Sequence, residues 1–281
     1  MPTKGTLGSM LAVFALTTLI GGAVLGQETK GQQKCINKLN KNTCKVAAKQ
    51  GKENFGCVKA ARKGTATAAC LTLDAKGKVM KARTKTTDTE TKLDCLGANA
   101  PDFGYTTAAS ANDAAQSNEV GLFTDVYGTS DPTAVISTAK ATGKCQAAVT
   151  KGVEKLIATK WKQYLICKKK TLKAGSMTAA ALEQCLEGDP NSVVADPKGK
   201  IAKRVMKLDN VITVKKCAAE TVSSTFPGAC SGVALSGLAF CLDARAECRL
   251  CLAINAIDGL NVNCDLFDDG MSNESCFGSI G

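Results

Sequence analysis

The spacing of the cysteines constrains this chain more than any other feature of its sequence. Two stretches each begin with a Lys-Cys pair, reach a second cysteine 22 residues later, pass through a basic run to a Cys-Leu pair, and close at a fourth cysteine. The matching cysteines are Cys35, Cys57, Cys70 and Cys95 in the first stretch and Cys145, Cys167, Cys185 and Cys217 in the second. Both stretches also contain the motif D-x-K-G-K-[VI]-x-K, which starts at Asp74 and at Asp196. This self-similarity indicates two copies of one module.

Apolar residues at helical spacing predict that each module is a helical hairpin. In the second copy, one apolar face runs from Cys145 to about Lys170, and another follows Pro197 and Gly199, which interrupt the chain. The first face contains Val149, Val153, Leu156, Ile157, Trp161, Tyr164 and Leu165, and the second contains Ile201, Val205, Leu208, Val211 and Ile212. In the first copy, the second helix has little apolar periodicity, and we expect it to be the weaker one.

Antiparallel helices place the start of the first helix near the end of the second. This geometry predicts four disulfide bonds, namely Cys35–Cys95, Cys57–Cys70, Cys145–Cys217 and Cys167–Cys185. Connectivity does not follow from sequence alone, so the pairing is a hypothesis that a bond between Cys145 and Cys167 would contradict.

The other cysteines divide into one orphan and a set of six. Cys44 lies in the first helix, where the second copy has Glu154, so it is either a buried free thiol or the link in a disulfide-bonded dimer. The set of six lies in the C-terminal segment 230–281, in which a helix is predicted from about Val233 to Ile257. Its face carries Cys241, Cys248 and Cys251, which we expect to bond with Cys230, Cys264 and Cys276.

The ending from Cys241 to Cys276 reads C-x6-C-x2-C-x-A-x-N-A-x-D-G-L-x-x-x-C-D-x-F-D-D-G-x-x-N-x-S-C. Together with the paired Lys-Cys helices and the Lys-rich connectors, it resembles a set of uncharacterised exported bacterial proteins made of Cys-rich, Lys-rich helical repeats. The resemblance covers nearly the whole chain after the first 26 residues. It implies a secreted repeat protein and brings no known activity.

The first 26 residues have the features of a secretory signal peptide. Lys4 precedes an apolar stretch from Leu7 to about Leu25, and Val24 and Gly26 are small residues ahead of a polar change. The alternative is an N-terminal membrane anchor, because about 20 apolar residues can span a bilayer. With cleavage after Gly26 we expect a secreted or periplasmic protein without stable membrane insertion, whose cysteines are oxidised.

Together these patterns predict an all-α protein of tandem disulfide-stapled helical hairpins with a Cys-rich C-terminal helix and loop. The expected segments are a signal peptide at 1–26, hairpin modules at 27–105 and 144–229, an Ala/Thr/Ser-rich linker or partly packed excursion at 106–143, and an acidic Cys-rich tail at 230–281.

The charge is unevenly distributed along the chain. The tail has seven acidic and two basic side chains, whereas the body from Gln27 to Ala229 carries about +15. Such a body attracts anionic polymers, although lysines also serve simply to keep Ala-rich helices soluble. Only five arginines are present, which disfavours bidentate recognition of nucleic acid. We therefore expect anionic cell-envelope polymers as partners.

The chain contains no histidine, which excludes catalysis by Ser-His or Cys-His pairs and any imidazole metal site. No phosphate-binding or dinucleotide-binding motif is present. A non-catalytic protein is expected, and the alternative is a secreted enzyme or a thiol-redox protein that uses Cys248 and Cys251. Zinc at the tail thiols is disfavoured because an oxidising compartment competes for them.

No cofactor is expected, with calcium as the alternative, for which the acidic loop after the predicted C-terminal helix is the candidate site. Calcium takes about six to eight oxygen ligands, and the loop crowds five oxygen-bearing side chains into nine residues, at Asn261, Asn263, Asp265, Asp268 and Asp269. The spacing does not match an EF-hand. The alternative is a pair of Asx turns with helix-capping carboxylates.

Overall fold

In a computed structural model of the chain, the structure describes residues 28–175, 178–186, 196, 198–267 and 276. Within these ranges the fold is helical and has no strand, so the all-α prediction is confirmed. The predicted signal peptide, residues 1–26, lies outside the described residues. None of the described helices is long and apolar enough to cross a membrane.

Ten α-helices follow one another along the described chain. They are α1 (Lys30–Ala61), α2 (Cys70–Leu73), α3 (Lys78–Leu93), α4 (Ala108–Tyr127), α5 (Pro132–Val135), α6 (Lys140–Ala174), α7 (Ala179–Leu186), α8 (Lys200–Asn210), α9 (Val222–Thr225) and α10 (Leu238–Asp258). A π-helical turn, Val211–Lys216, extends α8, and a 3-10 turn, Leu235–Gly237, leads into α10.

The two predicted hairpins are present as α1 with α3 and as α6 with α8. In the first, disulfides join Cys35 to Cys95 and Cys57 to Cys70. In the second, a disulfide joins Cys145 to Cys217. These are the pairs that antiparallel packing predicts. Cys167 is also disulfide-bonded, and the side chain of Cys185, its predicted partner, lies outside the described residues.

The D-x-K-G-K motif starts the second helix of each hairpin. Asp196 adopts a left-handed backbone conformation, with φ of 50°, and its carboxylate accepts hydrogen bonds from the backbone N–H groups of Lys200, Ile201 and Ala202 at 2.6–3.0 Å. Asp74 does the same for the first turn of α3. The carboxylate thus satisfies N–H groups that have no partner inside the helix.

Of the two alternatives for the segment 106–143, a linker or a partly packed excursion, the structure shows a packed segment, which corrects the prediction of an Ala/Thr/Ser-rich linker. The segment forms α4, which packs against α10, α1 and α3. Small side chains let the helices approach closely, so α4 is buried without a strong apolar periodicity. Its buried face consists of Ala108, Ala111, Asn112, Ala114, Ala115, Glu119, Leu122, Phe123, Asp125, Val126 and Tyr127.

Helix α10 packs against α4, α6 and α8 and belongs to the same hydrophobic cluster as both hairpins. A buried ion pair joins it to α6, because Lys168 Nζ lies 2.5 Å from Asp258 Oδ1. A second ion pair joins it to α4, where the guanidinium of Arg249 donates two hydrogen bonds of 2.7 Å to Asp125. The hairpins, α4 and the tail helix therefore share one core.

Candidate functional site

A groove with a cationic lining runs between α6 and α8. Its volume is about 640 Å³, and every charged side chain that lines it within the described chain is a cation. We call it the basic groove, and its cations are Lys151, Lys155, Lys203, Arg204, Lys207 and Lys215.

The amphipathic pattern of α8 produces this groove. Ile201, Val205 and Leu208 are buried against the core, so Lys203 and Lys207, one helical turn apart, project to solvent. On α6, Gly152 leaves room for Leu208, since a Cβ at this glycine would lie 2.6 Å from the leucine Cδ1. Close packing of the two helices therefore concentrates their lysines along one seam.

The cationic surface continues beyond the basic groove toward the C-terminal half of α6. A second depression of about 620 Å³ shares Lys203, Arg204 and Lys207 with it and adds Lys162 and Lys200. Charged positions thus follow the seam over about three turns of α6, from Lys151 to Lys162. A long flexible polyanion fits such a surface better than a compact ion does.

A separate, more apolar cavity of about 400 Å³ lies between α1, α4 and α6. We call it the Cys44 pocket. Its walls include the thiol of Cys44, the rings of Phe55 and Trp161, and the carboxyl groups of Glu119 and Glu154. Its other lining residues are Ala48, Gly51, Lys52, Lys151, Lys155, Ala158 and Lys162.

The two carboxyl groups of the Cys44 pocket interact with each other. Burial raises the pKa of Glu119 well above its usual value, and the nearby Glu154 carboxyl raises it further. Burial likewise raises the pKa of Glu154 to about 7, although Asn54 donates a hydrogen bond to its carboxyl. The pair therefore retains at least one proton at neutral pH.

Cys44 is the free cysteine among those that the structure describes, and it is half-buried. Burial raises the pKa of its thiol to about 11, and Glu119 adds to this effect. The thiol is therefore protonated and weakly nucleophilic at neutral pH. Of the two alternatives from the sequence, this environment favours the free thiol over the link in a dimer.

Within the tail, the six cysteines form the bonds Cys230–Cys241, Cys248–Cys276 and Cys251–Cys264. Cys248 and Cys251 are fully buried and bond to different partners. A redox pair made of these two thiols would require both bonds to rearrange, so the geometry disfavours the thiol-redox alternative.

The predicted calcium ligands are only partly described, since Asp268 and Asp269 lie outside the described residues. Of the others, Asn263 accepts a hydrogen bond of 3.0 Å from the backbone N–H of Asp265, which is an Asx turn. The backbone N–H of Asn261 donates to Glu183 at 2.8 Å. No cluster of three or more His, Cys, Asp or Glu side chains suited to a metal occurs among the described residues. Calcium binding stays a prediction.

The sequence did not single out Glu119 or Trp161 as site residues. The sequence aligned Glu154 of the second copy with Cys44 of the first, and the structure places these two equivalent residues in the same cavity. Three segments distant in sequence meet there, so spacing alone could not reveal the site.

No family model, no curated protein and no solved structure matches this chain.

Proposed function

We propose that this chain is a non-catalytic exported protein, secreted or periplasmic, that binds anionic polymers of the cell envelope through the basic groove. The observation that carries the proposal is the seam between α6 and α8, where six cations line one groove. Disulfides of the kind described here form and persist in oxidising compartments, which supports export.

Lysine dominates this surface, and its chemistry suits a repetitive partner. An ammonium group is a compact point charge on a flexible stem and does not require the planar geometry that arginine does. A polymer with a carboxylate or phosphate group at every repeat unit can pair with such ammonium groups in many alternative alignments along the groove. Binding of this kind weakens as salt screens the charges, with a Debye length of about 8 Å at physiological ionic strength.

The test compares two variants with equal charge loss. We expect Lys203→Gln/Lys207→Gln to weaken binding to polyglucuronate and to glycerol-phosphate teichoic acid about tenfold, measured by titration calorimetry at low and physiological salt. The control is Lys81→Gln/Lys85→Gln, which changes the equivalent positions of the first copy, exposed on α3.

The two polymers separate carboxylate from phosphate recognition, and duplex DNA serves as a third ligand. Equal weakening by both variants would show that net charge alone drives binding and would refute a role for the groove. Tighter binding to DNA than to either polymer would also overturn the assignment.

A further inference from the structure

We propose that the Cys44 pocket binds a small aromatic hydroxy acid, with its hydroxyl group at Glu119, its ring between Trp161 and Phe55, and its carboxylate at the lysines of the mouth. Lys151 and Lys155 line both this pocket and the basic groove, but binding of such an acid does not depend on polymer binding. Three features of the pocket, its size, its buried end and its mouth, point to this one class of ligand.

The size and walls of the pocket suit a single aromatic ring. Its volume of about 400 Å³ lies in the range of roughly 300–1,000 Å³ that small-molecule sites occupy. Two aromatic residues and two alanines supply apolar contact, and aromatic rings pair favourably with one another beyond the area they bury. Trp161 is itself only 2% exposed, so it forms a preorganised wall.

The buried end of the pocket offers an unused hydrogen-bond acceptor. Glu119 is 2% exposed, and its Oε2 atom has no hydrogen-bond partner within the described structure. The other interactions of this carboxyl group are with Trp161 and Glu154. Leaving a buried polar atom unpaired is energetically costly, so a ligand hydroxyl that donates to it gains selectivity over a ligand that lacks one.

The mouth of the pocket is cationic. Lys52 of α1 and Lys151, Lys155 and Lys162 of α6 line it, and all four are exposed. This charge repels amines and attracts an anion. A ligand with a carboxylate at one end and a hydroxyl at the other therefore complements both ends of the cavity.

Four ligands test the three features separately. The probe is 3-(4-hydroxyphenyl)propionate, and 3-phenylpropionate lacks the hydroxyl group. Tyramine replaces the carboxylate with an ammonium group, and decanoate replaces the ring with an aliphatic chain. Titration calorimetry gives the affinities, and the indole N–H proton resonance reports on the pocket because Trp161 is the single tryptophan of the chain.

We expect the probe to bind and to shift the indole resonance, 3-phenylpropionate to bind at least fivefold more weakly, and tyramine not to bind. Equal affinity for the probe and 3-phenylpropionate would overturn the role of Glu119. Tighter binding of decanoate would assign the pocket to an aliphatic amphiphile instead. Absence of binding by the probe at 5 mM, or binding without a shift of the indole resonance, would refute the proposal.

Substitutions at two residues, Glu119 and Lys52, locate the contacts. Glu119→Leu removes the acceptor and should abolish the preference for the hydroxyl group, whereas Glu119→Gln retains an acceptor and should preserve most of it. Lys52→Gln should weaken binding of both acids about threefold. Its control is Lys41→Gln, exposed on the same helix but outside the pocket. Lys52 is not part of the basic groove, so Lys52→Gln also distinguishes the pocket from the groove. If Lys52→Gln and Lys41→Gln weakened binding equally, the proposed contact between the ligand carboxylate and Lys52 would be contradicted.

Discussion

Burial of ionisable side chains governs the chemistry of this protein at the scale of single residues. Lys168 and Asp258 form an ion pair in the core, and burial lowers the pKa of the lysine while it raises the pKa of the aspartate. Glu119 and Glu154 are two carboxyl groups that interact with each other. Because the pKa of both groups is raised, the pair keeps at least one proton at neutral pH. The first pair connects helices, whereas the second faces a cavity.

The Glu119–Glu154 pair predicts that stability falls as the pH rises. The pKa of Glu154 is about 7 in the folded chain, compared with the ordinary value of 4.5. Between these two pH values the folded chain binds more protons than the unfolded chain, so the free energy of unfolding falls as the pH rises from 4.5 to about 7. Relative to Glu154→Gln, the unmodified chain should lose on the order of 2–3 kcal/mol of unfolding free energy between pH 5 and pH 8.

Urea unfolding at a series of pH values measures this difference. Asp88→Asn, a neutral substitution at an exposed position of α3, is the control and should parallel the unmodified chain. Identical pH profiles for Glu154→Gln and the unmodified chain would show that the pair does not share a proton.

At the scale of elements, the hairpins depend on caps and bonds that recur in both copies. The aspartate of each D-x-K-G-K motif combines two roles, since it adopts a left-handed conformation and caps the following helix. Asparagine and aspartate tolerate that conformation better than other residues with a side chain. The glycine of each motif is also left-handed, with φ of 59° at Gly77 and 58° at Gly199, a conformation that glycine adopts without strain.

Substitutions at Asp196 separate the two roles. Asp196→Ala loses the acceptor and strains the backbone, so we expect a loss of about 2–3 kcal/mol. Asp196→Gly removes the acceptor without the strain and should cost about 1 kcal/mol. Asp196→Asn keeps an acceptor and should cost the least. Guanidinium unfolding midpoints under non-reducing conditions rank the three, and a cost for glycine equal to that for alanine would contradict the role of conformation.

At the scale of the whole molecule, the disulfides with a described partner cross-link each hairpin and the tail internally, and these units share one hydrophobic core. Aromatic residues make up only 4% of the chain, and the core is rich in alanine and cysteine. Each bond that closes a long loop adds roughly 2–4 kcal/mol by restricting the unfolded chain. The cross-links therefore compensate for a core with few large side chains.

The number of free thiols tests the complete framework. Thirteen cysteines of the described chain are disulfide-bonded, and a bond from Cys167 to Cys185 would leave Cys44 as the single thiol among fifteen. We expect one thiol per chain to react with Ellman's reagent in non-reducing denaturant, and a much slower reaction in the folded protein. Cys44→Ser should show none.

Three or more thiols per unfolded chain would contradict the proposed wiring, and a covalent dimer on non-reducing electrophoresis would contradict a free Cys44. Two thiols that are released by mild reduction, with no loss of folded structure, would instead support the redox alternative at Cys248 and Cys251.

The sequence by itself determined the local architecture of this protein. Helical periodicity located the hairpins, and the register of their cysteines predicted Cys35–Cys95, Cys57–Cys70 and Cys145–Cys217, because antiparallel neighbours in one hairpin leave few partners within reach. Only the tertiary structure decided that α4 belongs to the core, since its small residues carry little periodic signal. It alone brought Cys44, Glu119 and Trp161 together, because contacts between distant segments depend on how whole helices pack and produce no regular residue spacing in the sequence.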